Sequence, residues 1–204
     1  MTERYFSVSV PIKKSVYILL LTGLVCILSS AFKINHSANG HHTATDSLLS
    51  KKAFMEVYSV LMSPRCMNCH PAGDIPFEGD EGRLHHLNVK RGKDGKGMFA
   101  NKCANCHQEQ NDLGAPINPK WSMPPADMKM IFEGRSARAL AAQLIDPATN
   151  GNKTTEELVR HMAEDTLVLA GWHPGKGEKM PPLTHEEFTK QVKLWIENGA
   201  YLPD

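Results

Sequence analysis

The chain has 204 residues, 41% of them hydrophobic, and a formal net charge of +1. That length suggests one domain with room for a second small one, and the apolar share, below the usual globular level, leaves core for a bound apolar body to supply. With the charge near neutrality and no basic stripe, nothing favours nucleic acid as a partner.

The N-terminus reads as a targeting segment. Arg4, Lys13 and Lys14 make a positive start, Val16 to Leu28 is an apolar run, and Ser29-Ser30-Ala31 offers small residues for cleavage. A bilayer span needs about 20 apolar residues, and the stretch from Ser15 to Phe32 has weak ends. Residues 1–31 are therefore expected to be a signal peptide or an N-terminal membrane anchor, with residues 15–32 as the anchoring stretch and the rest exported to a bacterial periplasm. Cys26 lies inside the apolar run after Val25, which is too large for a lipidation site, so it reads as an ordinary residue of that run. Residues 32–45 are polar, carry His36, His41 and His42, and read as a flexible tether.

The folded part is expected over residues 46–204. Leu48, Leu49, Ala53, Phe54, Val57, Val60 and Leu61 recur at helical spacing, and Pro64 closes that helix. Cys66-Met67-Asn68-Cys69-His70 follows at once. Pro71 to Gly82 is rich in Pro, Gly and Asp; its Asp74, Glu78, Asp80 and Glu81 do not follow a calcium-loop spacing, so it reads as a solvated loop. Lys90 to Gly97 is basic and glycine-rich, and reads as a solvated loop rather than a docking patch for an acidic partner. Cys103-Ala104-Asn105-Cys106-His107 comes next, followed by a proline- and glycine-containing stretch from Asn111 to Met130 that should be an extended loop. Three helices are expected after it: Ser136 to Ile145, stopped by Pro147; one opened by the capping box Thr154-Thr155-Glu156-Glu157 and running toward Leu167; and a last one opened by Thr184-His185-Glu186-Glu187. In the last helix Phe188, Val192 and Trp195 form an apolar stripe, and Gly199 caps the end.

The two C-x-x-C-H copies carry the chemistry. Two thiols can add across the two vinyl groups of a porphyrin, and the histidine that follows can reach the iron from the same turn, which is the attachment pattern of a c-type haem. Four of the five cysteines sit in these copies, so no disulfide framework is left. Zinc is the alternative, but it takes four ligands and would leave two of the six unused. The expectation is two haem c groups, tethered by Cys66, Cys69, Cys103 and Cys106, with His70 and His107 as proximal iron ligands. The motif starts lie 37 residues apart, too few for each haem to be wrapped separately. The chain after Cys106 must help to cover both. The expected fold is all-α, with cytochrome c-like helices and long haem-wrapping loops holding two haems in one compact unit.

Four side chains compete for the sixth iron positions. Met123 (in Trp121-Ser122-Met123-Pro124-Pro125) and Met180 (in Lys179-Met180-Pro181-Pro182) precede prolines that stiffen their loops. His85 lies between the motifs and His161 inside a helix; His86 and His173 are further histidine competitors. Methionine at the sixth position raises the reduction potential. Met180 and the helix after it resemble the C-terminal part of class I cytochromes c. Trp121, Trp172 and Trp195 read as wall or core residues.

Longer stretches also resemble a family. Cys-x-x-Cys-His-Pro71-Ala72-Gly73-Asp74, Glu78-Gly79-Asp80, His85, Asn88-Val89-Lys90-Arg91-Gly92, Phe132-Glu133-Gly134-Arg135-Ser136, Gln143-Leu144-Ile145-Asp146-Pro147 and Gly171-Trp172-His173-Pro174-Gly175 are similar to the c-type cytochromes linked to isoquinoline 1-oxidoreductase. The resemblance spans roughly residues 57–203. It implies a carrier that accepts electrons from an exported molybdenum hydroxylase, or another redox protein, and passes them to the respiratory chain. It also implies histidine at positions 85 and 161 and does not require methionine at 123 and 180. The chain has no molybdopterin or iron–sulfur pattern of its own. An electron carrier, or the electron-transfer subunit of an oxidoreductase, is thus the expected function. The alternatives are a dihaem peroxidase-like enzyme with one open iron and Glu78, Asp80 or His86 as distal acid or base, and a haem-based sensor.

Overall fold

Thr43 caps the first helix from both sides. Its hydroxyl accepts from the Asp46 amide and its own amide donates to the Asp46 carboxylate, so helix α1 runs over Ala44–Leu61. This computed structural model describes residues 43–108 and 120–204. The expected signal or anchor segment with Cys26, residues 32–42 of the tether and residues 109–119 of the long loop lie outside the described residues. Among the described residues no helix is long and apolar enough to cross a membrane.

Most of the regular structure is helical. After α1 come α2 (Pro64–Met67), α3 (Ala137–Ile145), α4 (Thr155–Glu164), α5 (Thr166–Leu169) and α6 (His185–Glu197). Pro64 does not end α1; the helix stops at Leu61 and Pro64 opens α2, where a missing amide costs nothing. The capping boxes at Thr154 and Thr184 form. The helix from Thr155 stops at Glu164 rather than running to Leu167, because the Asp165 carboxylate takes the Leu167 amide and starts α5. Two antiparallel hairpins, unforeseen from the sequence, lie between the motifs. One pairs β1 (Phe77–Glu78) with β2 (Arg83–Leu84), the other β3 (Gly97–Met98) with β4 (Asn101–Lys102).

The core is built where α1 and α6 pack together, with α3, α4 and the Ala170–Trp172 turn beside them. Phe54, Val57, Val60, Phe188, Val192 and Trp195 are buried there, each contributing about 1.5–3 kcal/mol relative to exposure. Phe54 meets the Trp195 ring at 4.5 Å between centroids. Trp195 donates its indole N–H to Tyr201 O and Trp172 to Leu183 O, so both tryptophans serve the core with their polar ends satisfied.

Ser50 is the polar seam of this core. It is fully buried on α1, donates to Trp195 O and accepts from Tyr201 N, both at 2.9 Å. Ser50→Ala takes the acceptor from the Tyr201 amide and one of two donors from Trp195 O, which keeps the Ala200 amide at 2.9 Å. Urea unfolding should show a loss of about 1–3 kcal/mol, whereas an exposed serine substitution changes little.

Candidate functional site

The first C-x-x-C-H copy folds as one tight turn. Pro64 begins α2, Cys69 N donates to Cys66 O, and His70 N donates to Met67 O. Asn68 anchors the turn to the β1–β2 hairpin through Gly79 O at 2.9 Å and Phe77 N at 2.9 Å. A strap over residues 130–133 then closes on His70. Phe132 N donates to His70 O (2.9 Å), and the Phe132 ring stacks on the imidazole at 3.9 Å and 3°. His70 Nδ1 lies 2.6 Å from Met130 O. A carbonyl can only accept, so Nδ1 carries the hydrogen and Nε2 keeps a lone pair. Burial lowers the His70 pKa to about 4, so the ring is neutral at pH 7. A neutral imidazole with its far nitrogen tied to a carbonyl is the state a metal-binding histidine needs.

The strap is itself held. Gln143 on α3 donates to Ile131 O at 3.0 Å, and the Glu133 carboxylate accepts from Ala72 N at 2.7 Å. Met130 takes a left-handed backbone, φ 49°. A non-glycine residue pays strain in that region, and it is kept only where the surroundings fix it.

The second copy is held by its hairpin. Cys103 N donates to Lys96 O, and His107 N donates to Cys103 O. His107 is buried and stacks on Trp121 at 4.5 Å and 5°. Trp121 is thus a wall residue of this copy. The loop carrying it docks by Met123 N to Gly95 O (2.9 Å) and Ala126 N to Lys93 O (3.2 Å). Gly95, at φ 76°, allows that approach; a Cβ there would collide with Met123 O.

No disulfide joins the four motif cysteines. Burial pushes the Cys66 thiol up to about 12 and that of Cys69 up to about 11; at Cys69 the nearby Cys103 adds to the rise. Burial raises Cys103 as well. The backbone of Arg91 links the chain beside the two copies, donating to Asp74 O at 2.7 Å and accepting from Gly97 N at 3.0 Å. Beside Cys66, the Arg65 side chain is clamped between Asp80 (2.7 Å) and Glu178 while its Nε has no partner, and Asn68 Oδ1 is likewise buried and unpaired. Two thiol pairs, each followed by a histidine, are a donor set that could hold a covalently tethered porphyrin.

The four candidate sixth ligands are placed differently. His161, on α4, has Nδ1 3.1 Å from the Asp165 carboxylate, lines a cavity of about 420 Å³ and is near enough to His70 to lower its pKa. Burial lowers the pKa of His161 too, with Asp165 opposing. His85 has Nδ1 2.6 Å from His86 O, which again leaves Nε2 as the acceptor. Met123 is buried with its backbone on Gly95, and Met180 is exposed at 56%.

Three acidic residues of the first loop, expected to be solvated, each meet a basic partner. Asp74 meets Arg91 and Lys129, Asp80 meets Arg65, and Glu78 meets His86 at 2.6 Å. Glu78, His85 and His86 bring ligand atoms within 4.8 Å of one another, a grouping that i, i+1 histidines and a glutamate across a hairpin could have signalled. Arg91, expected on a solvated loop, is 1% exposed. Comparison with protein-family models, curated proteins and solved structures gives no match.

Arg65→Ala removes the cation between two carboxylates that are largely buried. Breaking such a pair costs about 3–5 kcal/mol. Thermal unfolding should show that loss, and Asp80→Asn, which leaves Glu178 on Arg65, should show less.

Proposed function

We propose that the chain is an exported c-type cytochrome that carries electrons on two haems. The observation that carries this reading is the shared build of the two C-x-x-C-H turns: each presents a histidine seated flat on an aromatic ring, Phe132 or Trp121, beside two thiols with no disulfide between them. Bound haem would supply one-electron cycling of its iron. The chain's own residues do the rest. Cys66, Cys69, Cys103 and Cys106 would tether the porphyrins, and His70 and His107 would hold the irons from one side.

For the other side, His161 and His85 are the better assigned ligands. In each the Nδ1 is committed to an oxygen acceptor, as in His70, and Nε2 is left for a metal. His161 belongs with the first motif, whose His70 lies within reach of its charge. Met180 faces water, and the Met123 loop is spent on docking to Gly95. The backbone link Asp74–Arg91–Gly97 between the two attachment segments supports transfer between the haems within one folded unit. In this reading the donor is an exported oxidoreductase of the molybdenum hydroxylase kind and the acceptor a component of the respiratory chain.

Catalysis at an open iron is the second reading, favoured by one feature: Glu78 and His86 form an acid–base couple at 2.6 Å next to His85. Asp80 is tied to Arg65 and to Lys179 N and is no longer available for that role. Peroxide turnover by the purified protein would decide for it.

Mass spectrometry of mature protein should show two added porphyrins, one after Cys66→Ala/Cys69→Ala and one after Cys103→Ala/Cys106→Ala. Protein without porphyrin ends the proposal. Optical spectra of the reduced protein should show carbon monoxide binding after His161→Ala or His85→Ala and none after Met180→Ala.

A further inference from the structure

A cation sits walled in between the two attachment turns. The Arg91 guanidinium donates from Nη1 to Pro124 O (2.6 Å), from Nη2 to Gly73 O (2.9 Å) and Pro71 O (3.4 Å), and from Nε to Asp74 Oδ1 (3.4 Å). Pro71 and Gly73 directly follow His70, and Pro124 lies on the loop that brings Trp121 to His107. The Arg91 backbone ties in a fourth piece of chain, since its carbonyl accepts from Gly97 N at 3.0 Å, at the start of the hairpin that carries Cys103. One side chain therefore cross-links the segments that place both histidines.

Its charge is only half answered. The acceptors are three neutral carbonyls and one carboxylate, and that carboxylate is shared: Lys129 Nζ lies 2.9 Å from the same Asp74 oxygen. Two cations on one anion leave one net positive charge. Asp74 stays ionised, because Lys129 and Arg91 hold its carboxyl below the ordinary range. Arginine stays protonated at any working pH. The guanidinium lies directly against the first motif, since one of its acceptors is the carbonyl of Pro71, the residue after His70.

We propose that Arg91 fixes the two attachment turns relative to each other and, as a buried and only partly compensated positive charge, raises the reduction potential of the iron bound by His70. The inference rests on the two-haem reading. Reduction adds one electron to ferric iron and no proton, so the oxidised form carries one more positive charge. A nearby cation in a poorly screened interior disfavours that form. Arg91 touches neither iron nor porphyrin in this account; it is a positioning and tuning residue.

The test is spectroelectrochemical titration of the holoprotein and three variants, together with thermal unfolding. Arg91→Gln should lower one of the two potentials by at least a threefold change in the reduction constant, equivalent to ~28 mV at 59 mV per tenfold for one electron. Arg91→Lys should keep that potential within the same margin but unfold earlier, since an ammonium cannot serve the spread of acceptors that the fork reaches. Asp74→Asn, at a half-exposed position that tolerates the change, should move the potential upward by a similar factor. If Arg91→Gln does not accumulate, Asp74→Asn decides alone. Unchanged potentials in either of these two variants, or a shift in Arg91→Lys as large as in Arg91→Gln, overturn the proposal. Wild-type protein that carries no porphyrin by mass fails the two-haem reading instead.

Discussion

The hydrogen bond from His70 Nδ1 to Met130 O is the constraint on which the first motif depends. It chooses the tautomer, turns the ring, and fixes where Nε2 points. None of this follows from C-x-x-C-H alone, because the motif sets only that a histidine comes next. The partner carbonyl is 60 residues away, held by a left-handed backbone at Met130, by Gln143 from α3 and by Glu133 from the Ala72 amide. The helical base thus reaches the site through one short strap. Packing of α3 in the core is what gives the strap a rigid support.

Around that support the molecule divides its labour. Helices α1, α3, α4 and α6 bury the large apolar side chains, while the described residues between His70 and Met130 are mostly loop and hairpin held by polar contacts. Backbone groups in such loops need partners if they are to be ordered. Here the partners are carbonyls and amides of other loops, with Arg91 and Arg65 as the charged cross-links. A bound apolar cofactor beside these loops would add the burial that they lack on their own.

What the sequence disclosed was local. The capping boxes at Thr154 and Thr184 are written within four residues, and both form. The box at Thr43 uses Asp46 in place of a glutamate and falls outside the usual pattern, so α1 begins two residues before the expected 46. The hairpins were hidden because each strand is two residues long, too short for any alternation to register. The burial of Arg91 is invisible in the sequence for a different reason. Its neighbours are lysines and glycines, so composition gives a solvated run, and the carbonyls that bury it come from residues 71, 73 and 124. The acidic residues of the first loop read as solvated for the same reason, yet Asp74, Glu78 and Asp80 turn to separate basic partners. At the site, residue types and spacing gave the thiols and the histidines that follow them. The tautomers, the stacking rings and the charge between the turns exist only once distant segments meet.

The pairing of the first helix with the last has a consequence for assembly. Ser50 and Trp195 are 145 residues apart, and the same two helices supply most of the buried rings. Contacts of such separation form late, since the intervening chain must give up its freedom before they return any stabilisation. The base therefore cannot close until the final segment has arrived, and until then the cysteine-bearing loops hang from an open scaffold, reachable from outside.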